Sequence, residues 1–221
     1  MNSNDIKIPL QYKIRYPKQK TQNKPSLFLL HGFGSNMEDL FSLNQFFPND
    51  WNIISLQAPK PTGFGGWSWT EVDLYDIKNI MKAQKMYSAK DLVISSIKSC
   101  IFEMSFDSKK VHLIGFSQGA TLALICGLTN PNLFQGIASL CGFLDCEEIK
   151  EEINHNELQN LNTLVTNGTM DDKIPIELGR MTEKSLKKLG VESVYKEYNM
   201  GHTISNECLN DLLNWIHSIQ K

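Results

Sequence analysis

Val111-His112-Leu113-Ile114-Gly115-Phe116-Ser117-Gln118-Gly119-Ala120-Thr121-Leu122-Ala123-Leu124-Ile125-Cys126 changes character at Ser117. Residues 111–114 form a short apolar run that reads as a buried strand, and residues 120–126 read as a buried helix. The five residues between them fit Gly-x-Ser-x-Gly. A serine held where a strand turns sharply into a helix is a nucleophile elbow, with its hydroxyl standing clear of the sheet. Glycines at 115 and 119 have a steric reason, because a side chain there meets the neighbouring strand or helix as the chain doubles back.

Outward from this point the chain alternates. Residues 10–16 alternate apolar and polar as a half-exposed strand does, and residues 17–25 read as a polar turn. Residues 26–31 are continuously apolar, which suits a strand covered on both faces of a parallel sheet. A helix is expected over 36–47 with Asn36 as its cap, then a strand over 51–57. Residues 58–70, rich in Pro, Gly and Trp, read as a long shaped loop. Further elements follow as a helix at 90–104, strands at 110–114 and 137–140, and a polar acidic connection at 145–160. A strand at 161–167, a helix at 176–189, a strand at 193–198 and a helix at 205–219 complete the chain. Strands and helices in alternation, without internal repeats, predict an α/β fold: a mainly parallel sheet with helices on both faces.

Composition bounds the function. The 221 residues suffice for one buried core, so residues 1–221 are expected to form a single domain. With 41% hydrophobic and 21% charged residues and a formal charge of -2, a general attraction to nucleic acid or anionic membrane is disfavoured. No apolar stretch approaches the ~20 residues that span a bilayer, which argues against integral membrane association. Residues 1–5 lack the basic start and apolar run of a signal peptide. Five cysteines without a Cys-x-x-Cys pair read as buried free thiols, and the expected location is cytoplasmic.

A serine hydroxyl needs an imidazole to accept its proton and an acid to orient that imidazole. His202 follows the last strand and precedes the last helix, which suits the base. His112 lies inside a strand, His155 in a polar segment, His217 in the final helix and His31 ahead of the serine; each is read as structural. Asp171 directly follows the strand at 161–167 and is taken as the acid. Asp172 is its close competitor and Asp145 a more distant one. The oxyanion of an acyl-transfer intermediate needs preorganised N–H donors, and those of Gln118 and Phe33 are expected to supply them.

Leu29-Leu30-His31-Gly32-Phe33-Gly34-Ser35, Ala58-Pro59 with Trp67-Ser68-Trp69, Gly115 to Ala120, Gly168 to Pro175, and Gly201-His202 together resemble the carboxylesterase/phospholipase family of α/β-hydrolases. That family includes acyl-protein thioesterases and lysophospholipase-like bacterial esterases. The resemblance spans roughly residues 10–217. It implies a compact core without a lid, a catalytic set of Ser117, Asp171 and His202, and an oxyanion hole from the N–H groups of Phe33 and Gln118. Many members carry His where this chain has Asn167, and Trp-Phe-Asp where it has Trp67-Ser68-Trp69.

The expected activity is hydrolysis of carboxylic esters through an acyl-enzyme, with no cofactor and no metal. Lysophospholipase and acyl-protein thioesterase activity are the alternatives, and a catalytically inactive binding protein of the same fold is a third reading. The expected partner is a small-molecule acyl ester or thioester; a homodimer is left open. Phe64, Trp67 and Trp69, with Phe33, are expected to line an apolar acyl site.

Overall fold

The computed structural model describes residues 7–18, 24–71 and 81–220. The turn read over 17–25 falls partly outside them, and residues 1–5 lie wholly outside them.

The centre is a seven-stranded sheet. In chain order its strands are β1 (Tyr12–Arg15), β2 (Ser26–Leu30), β3 (Asn52–Leu56), β6 (Val111–Phe116), β7 (Gly136–Leu140), β8 (Asn162–Gly168) and β9 (Ser193–Tyr198). Their spatial order is β1-β3-β2-β6-β7-β8-β9. The half-exposed β1 pairs antiparallel at the edge, and every other pairing in this sheet is parallel.

The continuous apolar runs are explained by cover on both faces. Phe28, Leu30, Ile54, Leu113 and Val165 point into a core shared with α2 (Tyr87–Met104), α3 (Gln118–Thr129) and Leu186 of α4 (Ile176–Lys188). Their alternate neighbours Leu27, Leu29, Ile53, Ile114 and Leu164 point into a second core with α1 (Glu38–Phe41) and α5 (Asn206–Ser218). Helix α3 is buried from Gln118 to Leu128, so it needs no polar face and shows none.

Two expectations require correction. The helix read over 36–47 is one turn of α1 followed by a 3-10 segment, Ser42–Phe46. Asn36 Oδ1 does accept the Glu38 N–H, but the Ser42 hydroxyl and the Asn44 amide donate to the carbonyls of Asp39 and Phe41. Such local side-chain bonds compete with the helical ladder. The loop at 58–70 contains a small antiparallel hairpin, β4 (Lys60–Pro61) with β5 (Trp67–Ser68). Gly63, Gly65 and Gly66, all at positive φ, turn the chain between them. The acidic connection holds two 3-10 segments, Cys146–Ile149 and His155–Asn160.

Candidate active site

The elbow is held by contact rather than by sequence alone. A Cβ on Gly115 would lie 2.0 Å from the Gly119 carbonyl oxygen, and one on Gly119 would lie 2.2 Å from that of Leu30. Strand β6, helix α3 and strand β2 therefore close on one another with backbone in direct contact. Ser117, at the junction, has φ 54° and ψ -116°. For a non-glycine residue that is strained backbone, of the kind that persists only where surrounding structure enforces it. Its own N–H donates to Leu140 O at 2.9 Å, and its carbonyl accepts from the Ala120 and Thr121 N–H groups.

The carboxyl ends of β8 and β9 bring two further loops to the same rim. Thr169 N–H donates to Tyr198 O and Met170 N–H to Met200 O, tying one loop to the other. The result is a chain of polar contacts: His202 Nε2 lies 2.9 Å from Ser117 Oγ, and His202 Nδ1 lies 2.7 Å from Asp171 Oδ2. The Asp171 side chain is fully buried. Its other oxygen, Oδ1, accepts the N–H groups of Lys173 and Ile174. Asp172 is exposed and bonded to Lys173, which holds its carboxyl below the usual range. Asp145 caps the 3-10 segment that follows it by accepting the Glu147 N–H. Neither competitor faces His202 through a hydrogen bond.

Gln118 follows Ser117 at the start of α3, and Phe33 follows Gly32 in the loop after β2, where a Cβ on Gly32 would lie 3.4 Å from Ser117 Cβ. No backbone acceptor among the described residues takes the Phe33 N–H. The Phe33 loop is braced from three directions. His31 Nδ1 bonds Gly32 O at 2.8 Å, and its Nε2 accepts the Ala58 N–H at 3.1 Å. An imidazole that accepts through Nε2 is neutral, and burial lowers its pKa in the same sense. Gly34 N–H donates to Trp67 O, and Trp67 N–H to Ser35 O, so the hairpin is sewn to the loop. Gly66 approaches so closely that a Cβ there would lie 1.8 Å from Gly34 O.

The Gln118 side chain contributes what the sequence reading missed. Its Oε1 accepts the Trp69 N–H at 3.0 Å, and its Nε2 donates to the Ser68 and Thr70 hydroxyls. Only the amide's four-way hydrogen-bonding capacity hinted at such a staple.

Of the residues expected to line an acyl site, Phe64 is exposed and its ring lies 6.1 Å from that of Phe33. Trp67 is half-buried. Trp69 is 1% exposed and its indole N–H donates to His31 O at 2.8 Å. It is a support beneath the hairpin and not a lining residue, because a buried indole N–H needs an acceptor and finds it inward.

Cys141 Sγ, Asp171 and His202 place donor atoms within 4.8 Å of one another, a grouping able in principle to ligate a metal. The Cys141 thiol instead donates to Thr203 O, and burial, with Asp171 adding to it, pushes its pKa up to about 12.

A doubly covered parallel sheet, a strained serine elbow after a central strand and loops converging at the carboxyl edge define an α/β-hydrolase. The chain matches the phospholipase/carboxylesterase family over residues 12–220 and belongs to it. It is a serine hydrolase of the ester- and thioester-cleaving kind. Acyl-protein thioesterase 1 of Debaryomyces hansenii is 25% identical over 221 residues, covering 90% of this chain and 92% of the relative. Acyl-protein thioesterase 1 of Kluyveromyces lactis is 30% identical over 168 residues, covering 73% of this chain and 70% of the relative. Among solved structures, esterase PE8 superposes with a TM-score of 0.84 at 25% identity, covering 95% of this chain and 99% of that one. Arabidopsis thaliana SOBER1 superposes at 0.78 with 26% identity, covering 90% and 100%.

Proposed function

We propose that Ser117, His202 and Asp171 form a catalytic triad that hydrolyses carboxylic esters through an acyl-enzyme. The observation that carries this reading is the unbroken contact from Ser117 Oγ through both nitrogens of His202 to Asp171 Oδ2, at 2.9 and 2.7 Å. Asp171 accepts a hydrogen bond from His202 Nδ1–H, which holds the proton on that nitrogen and leaves Nε2 free to accept the Ser117 proton. The Ser117 oxygen then attacks the substrate carbonyl. The resulting oxyanion meets the N–H groups of Phe33 and Gln118, each such donor being worth about 3 to 4 kcal/mol in a well-studied protease. Collapse expels the alcohol or thiol, which takes the proton from His202 Nε2. A water, deprotonated by the same nitrogen, attacks the acyl carbonyl; the bond from Ser117 Oγ to the acyl carbon then breaks, His202 Nε2 returns the proton to Ser117 Oγ, and the carboxylic acid leaves.

Thioester cleavage is a second reading, favoured because the two relatives named above are acyl-protein thioesterases. Phe64 and Trp67 are proposed to meet the acyl group beside Phe33. Residues 1–221 are proposed to act as one domain without a resident cofactor. Among the described residues no helix is long and apolar enough to cross a membrane. Five buried free thiols support work in a reducing compartment, which we propose is the cytoplasm. Cell fractionation with an affinity-tagged chain tests that location.

Ser117→Ala is expected to abolish hydrolysis of p-nitrophenyl butyrate and labelling by a fluorophosphonate while the protein remains folded. Retained hydrolysis would overturn the assignment. Comparing kcat/KM for matched butyryl esters, butyryl thioesters and lysophospholipids decides among substrate classes.

A further inference from the structure

A cavity of about 280 Å³ opens beside His202, between the loop that carries it and the chain around α1. Leu40, Leu43, Phe116 and Ile204 supply its apolar wall. These four residues belong to the core on the α1 and α5 side, whereas Trp67 and Trp69 of the hairpin segment pack into the core on the other side. The Phe116 ring lies 5.0 Å from the His202 ring, so the wall is continuous with the imidazole. Asp39 is the charged residue at this wall, exposed, with Oδ2 accepting the Ser35 hydroxyl at 2.7 Å. Among the described residues that line it there is no Lys or Arg.

Chemistry orients a substrate between these surfaces. The carbonyl oxygen must face the N–H groups of Phe33 and Gln118, and the leaving atom must lie within hydrogen-bond reach of His202 Nε2 to receive its proton. Whatever is attached to the leaving atom therefore runs along His202, into the cavity that His202 itself lines. We infer that this cavity is the leaving-group subsite, built for alcohols or thiols with an apolar stem, and that Asp39 disfavours those carrying a negative charge. The inference rests on the proposed triad. It assigns the two sides of the scissile bond to opposite faces of the sheet: acyl group toward the hairpin, leaving group toward α1.

A leaving group influences acylation and is gone before deacylation, which separates this subsite from an acyl pocket. The probes are methyl, hexyl and 5-carboxypentyl butyrate, which share one acyl-enzyme. The parent protein is expected to prefer hexyl over methyl by about tenfold or more in kcat/KM. Carboxypentyl butyrate should be about fivefold worse than hexyl at low salt, a gap that narrows as salt is added. Leu43→Trp, which fills the cavity, should erase most of the hexyl preference, and Leu43→Ala should shift it without inverting it. Asp39→Asn should close the carboxypentyl gap.

The decay of butyryl-enzyme formed from p-nitrophenyl butyrate, followed by intact mass, should proceed in Leu43→Trp at the parent's rate. A slowed decay would place the acyl chain in this cavity and overturn the inference, as would unchanged leaving-group ratios in both Leu43 variants. Either result leaves the triad standing if Ser117→Ala is inactive. An active Ser117→Ala would bring down the triad itself.

Discussion

The indole N–H of Trp69 donates to the main-chain carbonyl of His31 at 2.8 Å, joining the residue after the β4–β5 hairpin to the loop that presents the Phe33 N–H. The contact is buried, with both residues at or below 1% exposure. Its loss would leave a buried carbonyl without this donor, a cost of about 1 to 3 kcal/mol. Trp69→Phe is therefore expected to lower kcat on p-nitrophenyl butyrate about tenfold with a smaller change in KM, because it misaligns the proposed oxyanion donor without removing a binding surface. Steady-state kinetics with urea unfolding checks this; a pure KM effect would return Trp69 to the substrate site.

Asp171→Asn offers a cleaner test of the acid. Its side-chain oxygen can still accept the Lys173 and Ile174 N–H groups that hold the loop. The amide NH₂ then faces His202 Nδ1 and favours the wrong tautomer. A fall in kcat of roughly 10⁴ is expected with little change in unfolding free energy, following the behaviour of the equivalent change in a serine protease.

Ser117 at φ 54° makes a prediction about stability alone. Strain at such a position is worth about 1 to 3 kcal/mol, and glycine releases it at an entropic cost of about 0.5 to 1 kcal/mol in the unfolded chain. Ser117→Gly should therefore be more stable than Ser117→Ala by about 1 kcal/mol, both being inactive. Paired urea titrations measure the difference.

His112 couples stability to pH far from the active site. Its ring stacks on Trp51 at 4.7 Å, and neither ring nitrogen has a hydrogen-bond partner among the described residues. Burial depresses its pKa from 6.5 to about 4. Because the folded value lies below the unfolded one, the unfolded chain binds the extra proton, and stability falls as pH drops through 6.5 toward 4. This single group should cost about 2 kcal/mol between pH 7 and pH 5. His112→Phe should keep the stack and remove that part of the slope, as seen in unfolding free energies at the two pH values.

How much was legible varied with how local the determining forces are. The strand at 193–198 carries the bounds read from its pattern. The helix expected at 205–219 differs by a residue at each end, because Ser205 is its cap and accepts the Cys208 N–H. These signals lie within a few residues of the element they specify. The short α1 and the hairpin at 60–68 were not legible, since periodicity does not register the local side-chain bonds that cut α1 short or the carbonyls that distant segments bring to both elements. Arg15, for example, donates to the carbonyls of Asn44, Phe47 and Pro48 from a different strand.

The candidate site divides along the same line. Gly115 and Gly119 announce an elbow around Ser117 because a Cβ at either position would strike backbone, that of Gly119 in the first case and that of Leu30 in the second, and chain order nominated Asp171 and His202. The amino-acid sequence thus determined the alternation of elements, the elbow and the residues proposed for the chemistry, all of which follow from periodicity, turn sterics and position along the chain. Tertiary structure alone decided that Asp171 rather than Asp172 meets His202, that His31 and Gln118 are braces, and that Trp69 faces inward. It also placed the apolar cavity beside His202 on the α1 side. These outcomes depend on which buried polar groups find partners and on where two faces of a sheet are covered, and both are settled only when segments distant in the chain are packed together.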